Sequence, residues 1–140
     1  MKKQKIMIAL ALVLIVLTIL GINELTPGLH PTEQPGTTWS TEDGAVTFHI
    51  PDHNAPLGTP TYGVINSNND TINVAFAMSN LAGVVGAYTP EDYTKLQNGE
   101  VAFSFETWTE VSIKENRFVV RVTSTTYFNE GQELVFFKVE

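Results

Sequence analysis

The hydrophobic pattern divides the chain into two regimes. From Ile6 to Ile22 the side chains are apolar almost without interruption, Thr18 being the one clearly polar exception. From Trp39 onward the apolar residues come in short alternating runs separated by turn formers, which is the signature of half-buried β-strands. The clearest is Thr71–Ser79, where Ile72, Val74, Phe76 and Met78 alternate with Thr71, Asn73, Ala75 and Ala77. Similar runs at Ala45–Ile50, Thr61–Asn66, Gly83–Tyr88, Val101–Ile113, Arg117–Tyr127 and Glu133–Val139 bring the expectation to about seven strands.

One helix is predicted among them, Pro90 to Gln97. Thr89 is a good N-cap, Pro90 fits the first helical position, and Glu91 and Asp92 suit the positive end of the helix dipole. Asn98-Gly99 supplies the stop. For the last strands, a two-residue turn at Glu115-Asn116 pairs Ile113 with Phe118, Val111 with Val120, and Thr109 with Val122. That register sets Glu110 opposite Arg121 and turns Trp108 away from Phe103 and Phe105. A four-residue loop with shifted register is the alternative, because Glu-Asn is not a preferred hairpin turn. The predicted fold is all-β, a sandwich or partly open barrel, with the short helix covering one face or end.

The apolar run changes where this domain is expected. Ile6 to Ile22 would span roughly 25 Å as a helix, short for a membrane crossing and long for a signal-peptide core. Gly21-Ile22-Asn23-Glu24-Leu25 offers no small-residue cleavage pattern. Retention as a signal-anchor is therefore expected, with secretion after cleavage as the alternative. Lys2, Lys3 and Lys5 mark residues 1–5 as a cytoplasmic basic tail, which sends the remainder outside the cell membrane as a single-pass protein. Residues 23–36, carrying Pro27, Gly28, Pro31, Pro35 and Gly36, read as a linker able to reach about 40 Å. Residues 37–140 form the extracytoplasmic β domain.

Composition narrows the function. The chain has 140 residues, no cysteine and a net charge of −7. From Thr37 onward five Lys/Arg stand against thirteen Asp/Glu, a surface that repels phosphate backbones and excludes a nucleic acid partner. The same charge disfavours docking on anionic lipid. Without cysteine there are no disulfides, so packing alone must stabilise the domain.

Candidate chemistry is sparse. His49, Asp52 and His53 lie within five residues and form a candidate metal set, weighed against two solvated histidines around a turn, the favoured reading. Asn66, Asn68 and Asp70 take alternate positions as in a calcium loop, but Thr71 replaces the required glycine and Ala77 the closing glutamate. Asn69-Asp70-Thr71 matches the glycosylation sequon. Glu106 and Glu110 share a strand face with Trp108, the raw material of a carboxylate hydrolase, although Arg121 is expected to neutralise Glu110. No catalytic set and no cofactor are expected. Trp108, Arg121 and Tyr127 are the candidate binding residues, an aromatic and arginine grouping of interface type, with burial of Trp108 as core the competing and favoured reading.

Two stretches, Thr38-Trp39-Ser40-Thr41-Glu42-Asp43-Gly44-Ala45-Val46-Thr47-Phe48 and the ending Tyr127 to Lys138, resemble small secreted or lipid-anchored domains of unknown function from Gram-positive bacteria. The chain departs from the lipid-anchored members by lacking a cysteine. The resemblance implies an extracytoplasmic location and brings no site residue with it. The expected function is a membrane-anchored, non-enzymatic module binding an envelope protein or glycan. The alternatives are a structural accessory subunit of a membrane complex and a small metal-assisted or carboxylate hydrolase.

Overall fold

The computed structural model describes residues 28–114, 116–123 and 126–139. Eight strands follow in order: β1 (Thr38–Thr41), β2 (Val46–His49), β3 (Thr61–Ser67), β4 (Asp70–Ser79), β5 (Val84–Tyr88), β6 (Glu106–Lys114), β7 (Arg117–Val122) and β8 (Glu133–Lys138). One helix, α1 (Pro90–Gln97), joins β5 to β6, and a 3-10 turn at Pro31–Glu33 precedes β1. Each strand pairs antiparallel with the next, and β8 returns to β1 through Trp39↔Lys138 and Thr41↔Phe136. The all-β class with one short helix is as expected. The architecture is a closed barrel of eight strands rather than a sandwich or open barrel of about seven.

The added strand is β1, whose Thr-Trp-Ser-Thr is too short to show a period. A tight turn returns it to β2: Gly44 takes a φ of 70°, a conformation that favours glycine. The Asp43 carboxylate accepts the Ala45 N–H at 3.0 Å. That bond, with help from Thr41, holds the Asp43 pKa below its ordinary value. The β3–β4 turn uses Asn68 and Asn69, both at positive φ, as a two-residue hairpin requires.

The barrel is filled by rings. Phe48, Phe76, Trp108 and Phe136 form a closed circuit, with centroid separations of 5.7 Å (Phe48–Phe76), 5.5 Å (Phe76–Trp108), 6.1 Å (Trp108–Phe136) and 5.1 Å (Phe136–Phe48). Trp39, Val46, Ile65, Val74, Val85, Phe118, Val120 and Val122 are among the buried residues packed with them. Gly63 makes room for it: a Cβ there would sit 2.4 Å from the Thr47 carbonyl oxygen and 2.7 Å from the Phe76 ring. Among the described residues no buried side-chain polar atom lacks a hydrogen-bond partner.

The β6–β7 pairing departs from the predicted register. Ile113 does pair with Phe118, but a bulge at Val111 shifts everything beyond it by one residue, giving Glu110↔Val120, Thr109↔Arg121 and Trp108↔Val122. An extra residue in one strand exchanges the faces of the residues that follow. Glu106, Trp108 and Glu110 consequently face the barrel interior rather than the surface. Val101 to Phe105 lies outside β6, and Tyr127 lies in the β7–β8 loop.

No helix of the described residues is long and apolar enough to cross a membrane. The Ile6–Ile22 run, with the anchor assigned to it, lies outside the described residues. The proline-rich stretch is no free tether from Gly28 on. His30 and Pro31 are buried against the barrel, and the Gly28 N–H donates to the Ile113 carbonyl at 3.4 Å.

Candidate binding surface

Trp108, Arg121 and Tyr127 do not share a surface. Trp108 is 1% exposed in the barrel core, and its indole N–H donates to Glu106 Oε2 at 3.1 Å. Arg121 points outward and pairs with Glu133 across β7–β8 at 2.9 Å, not with Glu110. Tyr127 is half-buried, edge-on to Phe105 with centroids 5.5 Å apart. The bulge is the physical reason: it turns Trp108 and Arg121 to opposite sides of the barrel wall.

The two carboxylates beside Trp108 do not flank a cleft. Glu106 is fully buried. Its Oε1 accepts the backbone N–H groups of Thr126 (3.0 Å) and Tyr127 (2.6 Å), so with the indole it fixes the β7–β8 loop. Glu110 lies nearer the other end of the barrel, where His30 Nε2 meets its Oε1 at 2.5 Å. The Thr32 N–H donates to His30 Nδ1 at 3.2 Å, so Nδ1 is the acceptor and Nε2 carries the proton given to Glu110. The imidazole also stacks edge-on against Phe118 at 5.4 Å. Sequence reasoning missed His30. Its signal was His30-Pro31-Thr32-Glu33, in which Glu33 reaches back to the His30 N–H at 3.0 Å as a capping box.

The proposed metal set does not assemble. His49 Nε2 lies 3.8 Å from Asp52 Oδ1, both well exposed, while His49 Nδ1 meets Thr38 Oγ1 at 2.9 Å. His53 joins no such group, and among the described residues no three His, Cys, Asp or Glu side chains are grouped for a metal. The calcium-like stretch is used as a turn. Asn66 Nδ2 donates to the Gly44 carbonyl and its Oδ1 accepts from the Thr71 hydroxyl, each at 2.8 Å.

What the outer wall does bring together is a cross-strand row through five strands: Thr38, His49, Tyr62, Ala75 and Tyr88. Facing residues of neighbouring strands lie about 4.5–5.5 Å apart, so the row is continuous. Helix α1 covers one end of it. The Thr89 hydroxyl caps the helix by accepting the Asp92 N–H at 3.1 Å. Tyr93 then meets Tyr88 edge-on, centroids 6.0 Å apart. Burial raises the Tyr93 phenol pKa, and the neighbouring Tyr62 and Tyr88 phenols raise it further.

Beside the uncovered part of the row, His49, Pro51, Asp52, Pro60 and Tyr62 line a groove of about 220 Å³. Gln97 ties helix α1 to the β2–β3 loop that supplies most of this lining, its Nε2 donating to the Gly58 carbonyl at 2.9 Å. Tyr62 is 55% exposed there. A phenol face, an imidazole and a carboxylate in a shallow groove can stack on a ring and accept or donate hydrogen bonds.

No protein-family description, curated protein or solved structure matches this chain.

Proposed function

We propose that the chain is a membrane-anchored, extracytoplasmic, non-enzymatic binding module, its barrel presenting the Tyr62 groove to an envelope glycan or protein. The exposed Tyr62 and His49, neighbours in the cross-strand row beyond the part that helix α1 covers, carry this reading. A barrel filled by its own aromatic rings directs recognition to the outside wall. The lysines before Ile6–Ile22 support the anchor and the extracytoplasmic side.

The test is binding of the full chain, held in detergent micelles, to isolated envelope polysaccharide and to detergent-solubilised envelope proteins. Tyr62→Ala should weaken the complex by about 2 kcal/mol or more, the mark of a hot spot, without moving the melting temperature appreciably. Undiminished binding by both Tyr62→Ala and His49→Ala would remove the groove from the proposal.

A further inference from the structure

Every element at one end of the barrel converges where the described chain enters it. The Gly28 N–H reaches Ile113 at the end of β6, the Glu110 N–H donates to Gly83 in the β4–β5 turn, and the Lys138 N–H donates to Asn116 in the β6–β7 turn. The Val139 N–H donates to Thr38, at the start of β1. This end carries exposed aliphatic side chains: Leu81 at 96%, Leu29 at 60%, Val139 at 57% and Val111 at 43%. Leu81 sits at the tip of a tight turn with no role in packing, a position where a polar residue would do as well for stability.

Charge is distributed along the same axis. The opposite end holds Glu42 and Asp43 in the β1–β2 turn, Asp70 in the β3–β4 turn, and Glu130 and Glu133 at the β7–β8 loop. The entry end holds Lys114, Arg117 and Lys138. No carboxylate among the described residues pairs with Lys114 or Arg117, and Lys138 donates to Gln34 at 3.1 Å. Among the described residues Glu33, Asp52 and Glu110 balance these three cations, so this end is close to neutral while the other is strongly acidic. The net negative charge therefore orients the barrel toward a lipid surface rather than excluding it.

We infer that this end rests on the bilayer, with Leu81, Leu29, Val111 and Val139 in the interfacial layer and Lys114 and Arg117 at the phosphates. The inference rests on the proposed anchor at Ile6–Ile22. Only five residues separate Ile22 from Gly28, which at full extension reach about 20 Å. That leash keeps the aliphatic end within contact of the headgroups and the acidic end away from them.

The chain has no cysteine, so single probes can be placed cleanly. Full-length chain carrying Leu81→Cys or, at the far end, Glu130→Cys, each with an environment-sensitive fluorophore, is reconstituted in phosphatidylcholine–phosphatidylglycerol vesicles. The expected result is a blue shift at Leu81 with loss of most of its emission to a headgroup-level lipid quencher, and neither change at Glu130. Lys114→Glu with Arg117→Glu should restore much of the Leu81 emission, while circular dichroism stays unchanged. Chain that floats with the vesicles but leaves the Leu81 probe unquenched overturns the docking and spares the anchor. Chain that does not float overturns both. A blue shift without lipid quenching means a second copy or another protein covers this end, and also overturns it.

Discussion

Trp108 and His30 are the side chains on which the interior depends, each tied to a carboxylate of β6. Trp108→Ala removes one ring of the four-membered circuit and deprives buried Glu106 of a donor. The expected loss is about 3–5 kcal/mol, read as a lower urea midpoint; an unchanged midpoint would place the indole outside the core. His30→Ala removes the donor that satisfies the largely buried Glu110 carboxylate, at an expected cost of about 1.5–3 kcal/mol. Arg121→Ala breaks only an exposed pair with Glu133 and should cost about 1 kcal/mol or less. Thermal unfolding of the two variants side by side checks the contrast, and equal shifts would contradict it. From sequence Arg121 is expected to neutralise Glu110, because an unbroken ladder sets them opposite, and His30 falls in a stretch that reads as linker.

Elements with local causes were legible, and those with non-local causes were not. Helix α1 has the predicted limits, Pro90 to Gln97, because its cap, first-turn acids and stop are all fixed by adjacent residues. The bulge at Val111 leaves no local mark: Phe105, Val111 and Ile113 continue the same alternation with or without it. Only the competition between Trp108 and Val111 for the interior decides the register, and that competition involves Phe76 and Phe136 from distant strands. The tyrosine row was invisible for the same reason, its members being at least eleven residues apart in sequence.

Packing of α1 on that row has a pH consequence. The Tyr93 phenol pKa is raised in the folded protein, so its contribution to stability is complete below the phenol value of the unfolded chain. As pH rises from there through the folded value, the contribution is lost. Tyr93→Phe should therefore flatten the fall of the melting temperature at alkaline pH. An alkaline melting profile parallel to that of the unaltered chain would mean the phenol does not supply the effect.

At the scale of the molecule, closure of β8 on β1 removes the sheet edges that would otherwise invite pairing with other chains. It also makes the last contacts the longest-range ones, Trp39 with Lys138, a topology that folds slowly because closure must precede reward. The all-β class could be read from alternation, whereas closure could not, since no property of β1 or β8 alone announces the partner.

The same seam sets how the barrel responds to mechanical load. β1 starts and β8 ends at one end of the barrel, as antiparallel neighbours. Tension applied between Thr38 and Lys138 would peel their ladder one hydrogen bond at a time. Tension between Thr38 and a far-end turn such as Asn68-Asn69 would instead run along the strands and load many bonds together. In the proposed docked orientation, held at the chain-entry end and pulled at the acidic end, the barrel is thus loaded in its strong direction. Across the seam it is weak.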